Sequence, residues 1–452
     1  MSPSNASISK CSNQIPTISS QVANLCEDSS LHSESRKNQT LKILHLASDS
    51  FQGGAESVFR NTIEITSKDF IIYTASCDRE IKDSKKHIIL DDFQNYNKII
   101  GVLKYIFNIK NYKILLHSLD KLKPDVVHTQ NYLSRLSPSV LFALKIYKKQ
   151  NPNVKLVFTQ HGFGVCGNSC LYDYHKNQIC ESCIKGNQLK IAFKNCDRRG
   201  RIYSFIKALR TIFYQGLFLK EQNLFDKIIF VSDFQMQKHI NDNYDKEKIT
   251  VITNPIDSNF YNPNTTIYQK ENLIIFFGRM SKEKNISILI EAFYSLLQNK
   301  DFIDYRLLII GNGDDKVRCE KLADNLFKNH KNKPYDFIPH LNPKELKDKL
   351  KSAKISVLPS RLYETFGLTI IESILSGVVP IASDIGALSE TINKFGGLKF
   401  IPNSKDSLCE VMIEALSHYE KYFKDLKKWQ EIILKETNNE RYLNNIKEVY
   451  FQ

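Results

Sequence analysis

The sequence predicts an α/β protein with two doubly wound domains that face each other across a cleft. From Lys42 onward, short segments rich in Ile, Leu and Val alternate with amphipathic helical stretches. The alternation stops at an Asn-rich stretch, residues 259–272, and then restarts. Nearly continuous apolar strands, each followed by a helix, are typical of parallel sheets covered on both faces. Two such series indicate two domains, as does a chain too long for a single core.

The first series of predicted strands comprises residues 42–47, 70–74, 125–129, 155–160, 227–231 and 249–253. The second series comprises residues 273–277, 305–310, 336–338, 355–358 and 379–382. The predicted division is a disordered tail at 1–40, an N-terminal domain at 41–262 with a cysteine-rich insert at 161–200, a C-terminal domain at 263–427 and a final helix at 428–452.

The composition narrows the class of partner. The formal net charge is +14, from 63 basic and 49 acidic residues, which favours anionic partners. The first 40 residues are polar and lack the apolar core of a secretory signal, and no run of 18 apolar residues could span a membrane. We therefore expect a cytoplasmic protein. Its ten cysteines then indicate reduced thiols or metal ligands.

Several unusual loops follow predicted strands. They are SFQGGAES (50–57), FTQHGFG (158–164), FGRMSKEKN (277–285), IGNGDD (310–315) and LPSRLYETFG (358–367). In open α/β sheets, ligands bind beyond the carboxyl ends of the strands. If the two domains present these loops to one another, the binding site is the cleft between them.

Single residues in these loops have more than one interpretation. Gly53 and Gly54 suit a tight turn where backbone N–H groups approach a phosphate, but ordinary turns look the same. Glu364 and Glu372 fit a loop followed by a helix that begins near residue 366, or two solvated acids on one amphipathic helix. Taken alone, His161 is a structural histidine.

In this order the loops resemble glycosyltransferase family 4, the retaining enzymes that use nucleotide sugars and have the GT-B fold of two Rossmann-like domains. The resemblance covers about residues 42–425. Its most specific parts are GGAE (53–56), FFGRMSKEKNISILIEAF (276–293) and ETFGLTIIES (364–373), in which seven residues separate two glutamates. VSDFQMQKHI (231–240), NPID (254–257) and SDIGALSE (383–390) fit as secondary landmarks.

The resemblance implies a role for each matching residue. The implied catalytic residues are His161 near the donor sugar, Arg279 and Lys284 on the donor diphosphate, and Glu364 on the sugar and phosphates. The other implied donor-binding residues are Gly53, Gly54, Gly278, Thr365, Phe366, Gly367, Leu368 and Glu372, the last on the ribose hydroxyls. Family members often carry His-Asp where this chain has His161 followed by Gly162. Any role that the aspartate has in those members therefore has no matching residue in this chain.

The chemistry explains why the two glutamates lie so far apart. Breaking a sugar–phosphate bond leaves a nucleoside diphosphate with extra negative charge, which fixed cations and helix N-termini stabilise. Arg279 and Lys284 would replace a divalent metal, so no cofactor is expected for catalysis. The glutamates then hold two ends of an extended ligand instead of forming a glycosidase pair. Retention implies front-face attack, with the departing phosphate taking the acceptor's proton.

The expected function is transfer of a hexose-type sugar to a glycan or lipid-linked acceptor in polysaccharide or glycoconjugate synthesis. A GT-B sugar epimerase stays an alternative that the fold does not exclude, although it does not explain Arg279 with Lys284. A phosphorylase needs a pyridoxal-binding lysine region that is not identified. A catalytically silent nucleotide-sugar-binding scaffold stays open. Nucleic acid is the least favoured partner because no recognition module is present.

Two further segments carry open alternatives. Gaps of three, nine and two residues separate Cys166, Cys170, Cys180 and Cys183, and this spacing suits structural zinc. Reduced thiols, an iron–sulfur cluster or disulfides are the alternatives.

Residues 188–220 contain eight Lys or Arg and one acid among apolar residues. That composition suits a helix on an anionic membrane, at its inner face, or one lining a groove for an anionic acceptor, or a core helix with a solvated basic face.

Overall fold

The computed structural model describes residues 40–49, 53–78, 86–256 and 270–452. The tail predicted at 1–40 lies almost wholly outside these residues. The predicted domain boundary at 262/263 also lies outside them, so both stay predictions.

The first domain is built on a seven-stranded parallel sheet. Its strands are β1 (Lys42–Leu46), β2 (Ile71–Ser76), β3 (His87–Ile89), β4 (Val126–Thr129), β5 (Lys155–Gln160), β8 (Lys227–Phe230) and β9 (Ile249–Val251), with a hairpin of β6 (Tyr172–Asp173) and β7 (Gln178–Ile179) outside it. The order is β3-β2-β1-β4-β5-β8-β9. Because β1 lies inside the sheet, the strand order reverses beside it, and the carboxyl ends of β1, β4 and β5 meet at one edge.

Helices cover both faces of this sheet. They are α1 (Gly54–Thr66), α2 (Lys98–Ile106), α3 (Ile109–Leu122), α4 (Ser139–Gln150), α5 (Arg201–Gln215), α6 (Glu221–Leu224) and α7 (Asp233–Ile240). The segment 188–220 is therefore not one helix, as its composition suggested. A 3-10 helix at Gln188–Ala192 is separated from α5 by a loop, and α5 begins after Gly200, whose φ of 101° few other residues adopt.

The second domain has a six-stranded parallel sheet. Its strands are β10 (Leu273–Phe277), β11 (Arg306–Ile310), β12 (Tyr335–Ile338), β13 (Ile355–Leu358), β14 (Val379–Ser383) and β15 (Leu398–Phe400), in the order β12-β11-β10-β13-β14-β15. Its helices are α8 (Ile286–Leu296), α9 (Lys316–Leu326), α10 (Pro343–Ser352), α11 (Leu368–Leu375), α12 (Gly386–Phe395) and α13 (Lys405–Ser417). Every residue of β10 is buried, as expected for a central strand covered on both faces.

The chain ends on the first domain. The last two helices are α14 (Tyr419–Thr437) and α15 (Asn439–Phe451). Tyr442 shares a hydrogen bond of 2.8 Å with Thr62 of α1, and the Tyr450 hydroxyl lies 2.7 Å from Nδ1 of buried His128 in β4. These contacts tie α15 to the first sheet.

The fold class predicted from the sequence is confirmed. Every predicted strand is present, and its limits agree with the structure to within two residues. The short strands β3 and β15 were missed. Each has three residues and lies at an edge of its sheet, so partial exposure breaks the apolar pattern that marks the central strands.

Buried histidines make the stability of this fold sensitive to acid. Burial lowers the pKa of His45 to about 3, that of His161 and His239 to about 4, and that of His128 well below its usual value. Between pH 6.5 and 5 the unfolded chain therefore binds protons that the folded protein does not, and the free energy of unfolding falls. Burial raises the pKa of Glu221 to about 8 and also raises the pKa values of Glu56 and Asp242, which acts in the opposite direction, but three carboxyls oppose four imidazoles.

We expect urea unfolding to give a clearly lower free energy of unfolding at pH 5 than at pH 6.5. Equal or greater stability at pH 5 would contradict the burial of these four rings.

Candidate active site

The two domains meet where the carboxyl ends of their strands face each other. The Ser232 hydroxyl donates to the Thr365 carbonyl at 2.6 Å. The Glu390 carboxylate accepts from the backbone N–H groups of Asp233 at 3.0 Å and Phe234 at 2.7 Å. A carboxylate of the second domain thus lies on the N-terminus of α7, where the helix dipole favours negative charge. These bonds fix the loop that carries Glu364 against the first domain.

The N-termini of α1 and α11 approach each other across this cleft. Gly53 precedes α1 with a φ of 107°, and Gly367 precedes α11 with a φ of 105°, so both turns use a conformation that L side chains rarely adopt. A Cβ on Gly54 would lie 3.0 Å from Cδ1 of Leu368, the first residue of α11. Both glycine turns therefore allow close approach, and both helix dipoles are available to one anion.

Arg279 follows β10 and Gly278, whose φ is 146°. Its Nη2 donates to Oε1 of Glu283 at 3.0 Å, and its side chain is 55% exposed, whereas that of Glu283 is 2% exposed. The Glu283 carbonyl also accepts from the backbone of Arg361 at 2.9 Å. A buried acid fixed in its loop therefore holds the guanidinium of Arg279 at the cleft.

Lys284 and Glu364 form an ion pair with each other. The Ser360 hydroxyl also donates to Oε1 of Glu364 at 2.9 Å. Burial alone would raise the pKa of Glu364, but the Lys284 ammonium and the hydrogen bonds lower it, so the carboxylate stays ionised at neutral pH. The two residues lie far apart in sequence, and the structure brings them together.

The other residues of the glutamate motif differ in burial. The helix begins at Leu368, and Glu372 lies half-buried in its second turn. Phe366 is buried; its ring packs 6.4 Å from that of Phe395 and its carbonyl accepts from the Thr391 hydroxyl at 2.5 Å. The Phe366 side chain therefore anchors the turn in the core of the second domain.

His161 lies just beyond β5. Its Nε2 is 2.9 Å from Oε1 of Gln130, so the Gln130 amide fixes the orientation of the ring. Burial lowers its pKa to about 4, so the ring is neutral at pH 7. The Thr365 hydroxyl is 3.4 Å from the His161 carbonyl, which links the histidine loop to the glutamate loop.

A cavity of about 500 Å³ opens beside these residues. Residues of both domains line it, among them Ala55, Asn131 and His161 of the first domain and Arg279 of the second. The predicted histidine and arginine therefore share one cavity.

Sequence reasoning missed several contributors. Arg198 lies 3.8 Å from Glu283 and 4.0 Å from Asp314, so a basic residue of the cysteine-rich insert reaches the second domain. Glu390 and Ser232 lie within secondary motifs but were not predicted as site residues. Their spacing in the sequence does not indicate a role at the site, because that role depends on how the two domains dock.

Two family models match the chain. The one described as Glycosyltransferase Family 4 matches residues 53–260, and the one described as Glycosyl transferases group 1 matches residues 257–432. The matches meet between the two sheets. The chain belongs to the family 4, group 1 glycosyltransferases.

Relatives of this glycosyltransferase agree with that assignment. It is 30% identical over 190 residues to the uncharacterized glycosyltransferase MJ1607 of Methanocaldococcus jannaschii, a match covering 39% of this chain and 47% of that protein. The chain thus spans about half of that relative. It is 23% identical over 390 residues to an uncharacterized 41.2 kDa protein in the cps region of Klebsiella pneumoniae, covering 84% of this chain and 91% of that protein.

The structural comparison shows the GT-B fold. The crystal structure of Anabaena HepE in complex with UDP-glucose aligns with a TM-score of 0.60 at 16% identity, over 90% of this glycosyltransferase and 98% of HepE. In the described part of the chain, no helix has the length and apolarity needed to cross a membrane.

The four predicted zinc ligands of the glycosyltransferase are not grouped as a ligand set. The thiols of Cys166 and Cys183 interact with each other, whereas Cys180 lies 3.2 Å from the Ser182 hydroxyl and Cys170 lies 3.5 Å from the Asn168 amide. Within the described ranges, no three Cys, His, Asp or Glu side chains are arranged to hold a metal ion.

Structural zinc therefore stays a prediction from spacing, without a fitting arrangement of donors. Metal analysis of the purified protein tests it. One zinc per chain would uphold the prediction, and its absence would refute it.

Proposed function

We propose that the protein is a retaining glycosyltransferase that moves a hexose-type sugar from a nucleoside-diphosphate sugar to a glycan or lipid-linked acceptor. The observation that carries this proposal is the convergence of Arg279, the Lys284–Glu364 pair and two helix N-termini on one cleft. Scattered surface cations would not be held by acids on the face that meets the other domain.

The proposed catalysis is electrostatic. As the bond between the sugar and the phosphate breaks, negative charge moves onto the diphosphate, and the cleft stabilises it with groups that are already oriented. Arg279 and Lys284 supply the positive charge that a divalent metal supplies elsewhere. Glu364 keeps Lys284 in place and faces the donor sugar, while Glu372 takes the ribose hydroxyls.

The carboxyl groups of the cavity favour a mechanism that retains the anomeric configuration without a nucleophilic side chain. Among its described lining residues Glu221 is the one carboxyl group, and burial raises its pKa to about 8, so it is largely protonated at neutral pH. A protonated acid is a poor nucleophile, and the ionised Glu364 is held in its ion pair with Lys284 and is not among the described lining residues. We infer front-face attack: the new glycosidic bond forms on the face that the phosphate leaves, and the phosphate takes the acceptor's proton.

One structural relative supports the donor class. The similarity to HepE, crystallised with UDP-glucose, supports a nucleotide-sugar donor.

We also propose that the first domain contacts an anionic membrane. An exposed apolar patch consists of Ile99 and Leu103 on α2, Phe193 after the 3-10 helix, and Ile202 and Phe205 on α5, each between 52% and 88% exposed. Basic residues adjoin its members in the sequence, among them Lys98, Lys104, Lys194 and Arg201. Apolar side chains that enter the lipid interface, among cations that meet anionic headgroups, form a membrane-binding surface.

Replacing Arg279 with Ala should lower the rate of nucleotide release from the donor by about 100-fold or more, because a fixed charge at the leaving group is lost. The variant leaves buried Glu283 with Arg198, at 3.8 Å, as a remaining cation, so the melting temperature should fall moderately and activity is measured well below it. The matched control is Arg306→Ala at the amino end of β11, where the guanidinium pairs across strands with Asp336 at 2.6 Å.

Activity of Arg279→Ala close to that of the control would contradict the proposal. A wild-type protein that binds donor but never releases nucleotide, with any acceptor, would indicate a binding scaffold instead.

Changing Ile202 and Phe205 to Gln should weaken binding to vesicles containing phosphatidylglycerol by about tenfold, since each change removes apolar area that the bilayer would cover on binding. The control is the double variant Ile303→Gln and Val317→Gln, two residues of the second domain that are 59% and 61% exposed. Equal vesicle sedimentation of the two variants would refute membrane contact through the patch.

A further inference from the structure

The part of the cavity that lies within the first domain is strongly basic. Four cations line it: Arg198 and Arg199 in the loop before α5, and Lys207 and Arg210 on α5. The cavity also contains His161 and Arg279, so these cations continue from the proposed donor site into the first domain. Arg198 reaches Glu283 and Asp314 of the second domain, whereas the proposed donor chemistry does not use the other three.

Arg210 is buried without an acidic partner. Its side chain is on a residue only 2% exposed, its Nη1 donates to the Leu133 carbonyl at 3.1 Å, and its guanidinium lies 4.3 Å from the centre of the Tyr105 ring. Its Nε has no hydrogen-bond partner among the described residues, and no described acid forms an ion pair with it. Burying an unpaired charge is costly unless a ligand supplies the counter-charge.

The acidic residues near the cavity do not neutralise its cations. Asp197 is shared by Arg199, at 3.2 Å, and Lys207, at 2.7 Å, so one acid serves two cations. Glu221 accepts from the Gln215 amide at 3.0 Å and is largely neutral at pH 7, since burial raises its pKa. The cavity therefore has surplus positive charge next to an arginine with an unused donor.

The walls beside these cations are aromatic. Tyr105, Tyr132 and Tyr214 line the same cavity. Tyr132 and Tyr214 are almost fully buried, and the Tyr105 ring lies against the Arg210 guanidinium, so the rings form a firm wall that supports the cations. A firm pocket with surplus cations suits a ligand that carries an anionic group.

We propose that this part of the cavity is the acceptor subsite and that it takes an acceptor bearing a phosphate ester, whose phosphate binds the Arg199, Lys207 and Arg210 group while a sugar hydroxyl faces His161 and Arg279. This inference rests on the proposed function, because it names the acceptor of that transfer. A soluble sugar phosphate and a lipid-linked sugar diphosphate both offer this chemistry.

Isothermal titration calorimetry on the full chain, saturated with the nucleoside diphosphate that it binds, tests the subsite apart from the donor site. The probes are mannose 6-phosphate, an undecaprenyl-diphosphate sugar in detergent micelles, and mannose and maltose as uncharged controls. We expect at least one phosphorylated probe to bind at least tenfold more tightly than the uncharged sugars. Which one does so identifies the source of the phosphate.

Variants locate the binding. Arg210→Gln should weaken binding of the phosphorylated probe by about tenfold or more, as expected for one lost charge-assisted contact. Because Arg210 is buried, Arg199→Gln serves as a second variant whose side chain is 47% exposed, and Arg201→Gln on the outer surface of α5 is the matched control. Equal affinity of phosphorylated and uncharged probes, or the same affinity in both variants as in the control, would overturn the proposal.

Nucleotide release from the donor is measured separately. If the phosphorylated probe binds as described while no donor is ever turned over, the proposed function fails and the anion subsite stands. If donor is turned over but the probes do not discriminate, the subsite assignment fails alone.

Discussion

The cleft depends on cations that are held by ion pairs in a narrow gap between two domains. In the proposed transfer, a diphosphate leaving a sugar would lose the water that otherwise solvates it, and these fixed groups would replace that water. Two cations at the gap are each held by an acid of their own domain: Arg279 by buried Glu283, and Lys284 by Glu364. This arrangement keeps both cations in position before any ligand binds.

Hydrogen bonds across the cleft dock the two domains. Glu390 places its carboxylate on the N-terminus of α7, and Ser232 bonds the Thr365 carbonyl, so polar backbone groups of each domain are satisfied by the other. Such bonds need accurate alignment, and a closer approach is possible because Gly54 leaves room for Leu368. The docked loops are the ones that carry His161 and Glu364, which links domain position to site geometry.

Central strands and glycine turns were predictable because their signals are local. An apolar strand such as Leu273–Phe277 is recognisable from five consecutive residues, and Gly53 and Gly367 adopt backbone angles that favour glycine. The unpaired Arg210, the pairing of Lys284 with Glu364, and the reach of Arg198 to Glu283 were not predictable. Each depends on side chains distant in sequence, and composition alone made 188–220 look like one helix although Gly200 divides it.

Calorimetric binding of UDP, GDP and ADP, compared with the corresponding nucleosides at 50 and 500 mM NaCl, tests the central claim most directly. If fixed cations and helix N-termini bind the diphosphate, one nucleotide should bind at least 100-fold more tightly than its nucleoside. That advantage should shrink at high salt and in Lys284→Met, because the attraction is ionic. A nucleoside that binds as tightly as its diphosphate, whatever the salt concentration, would contradict the account.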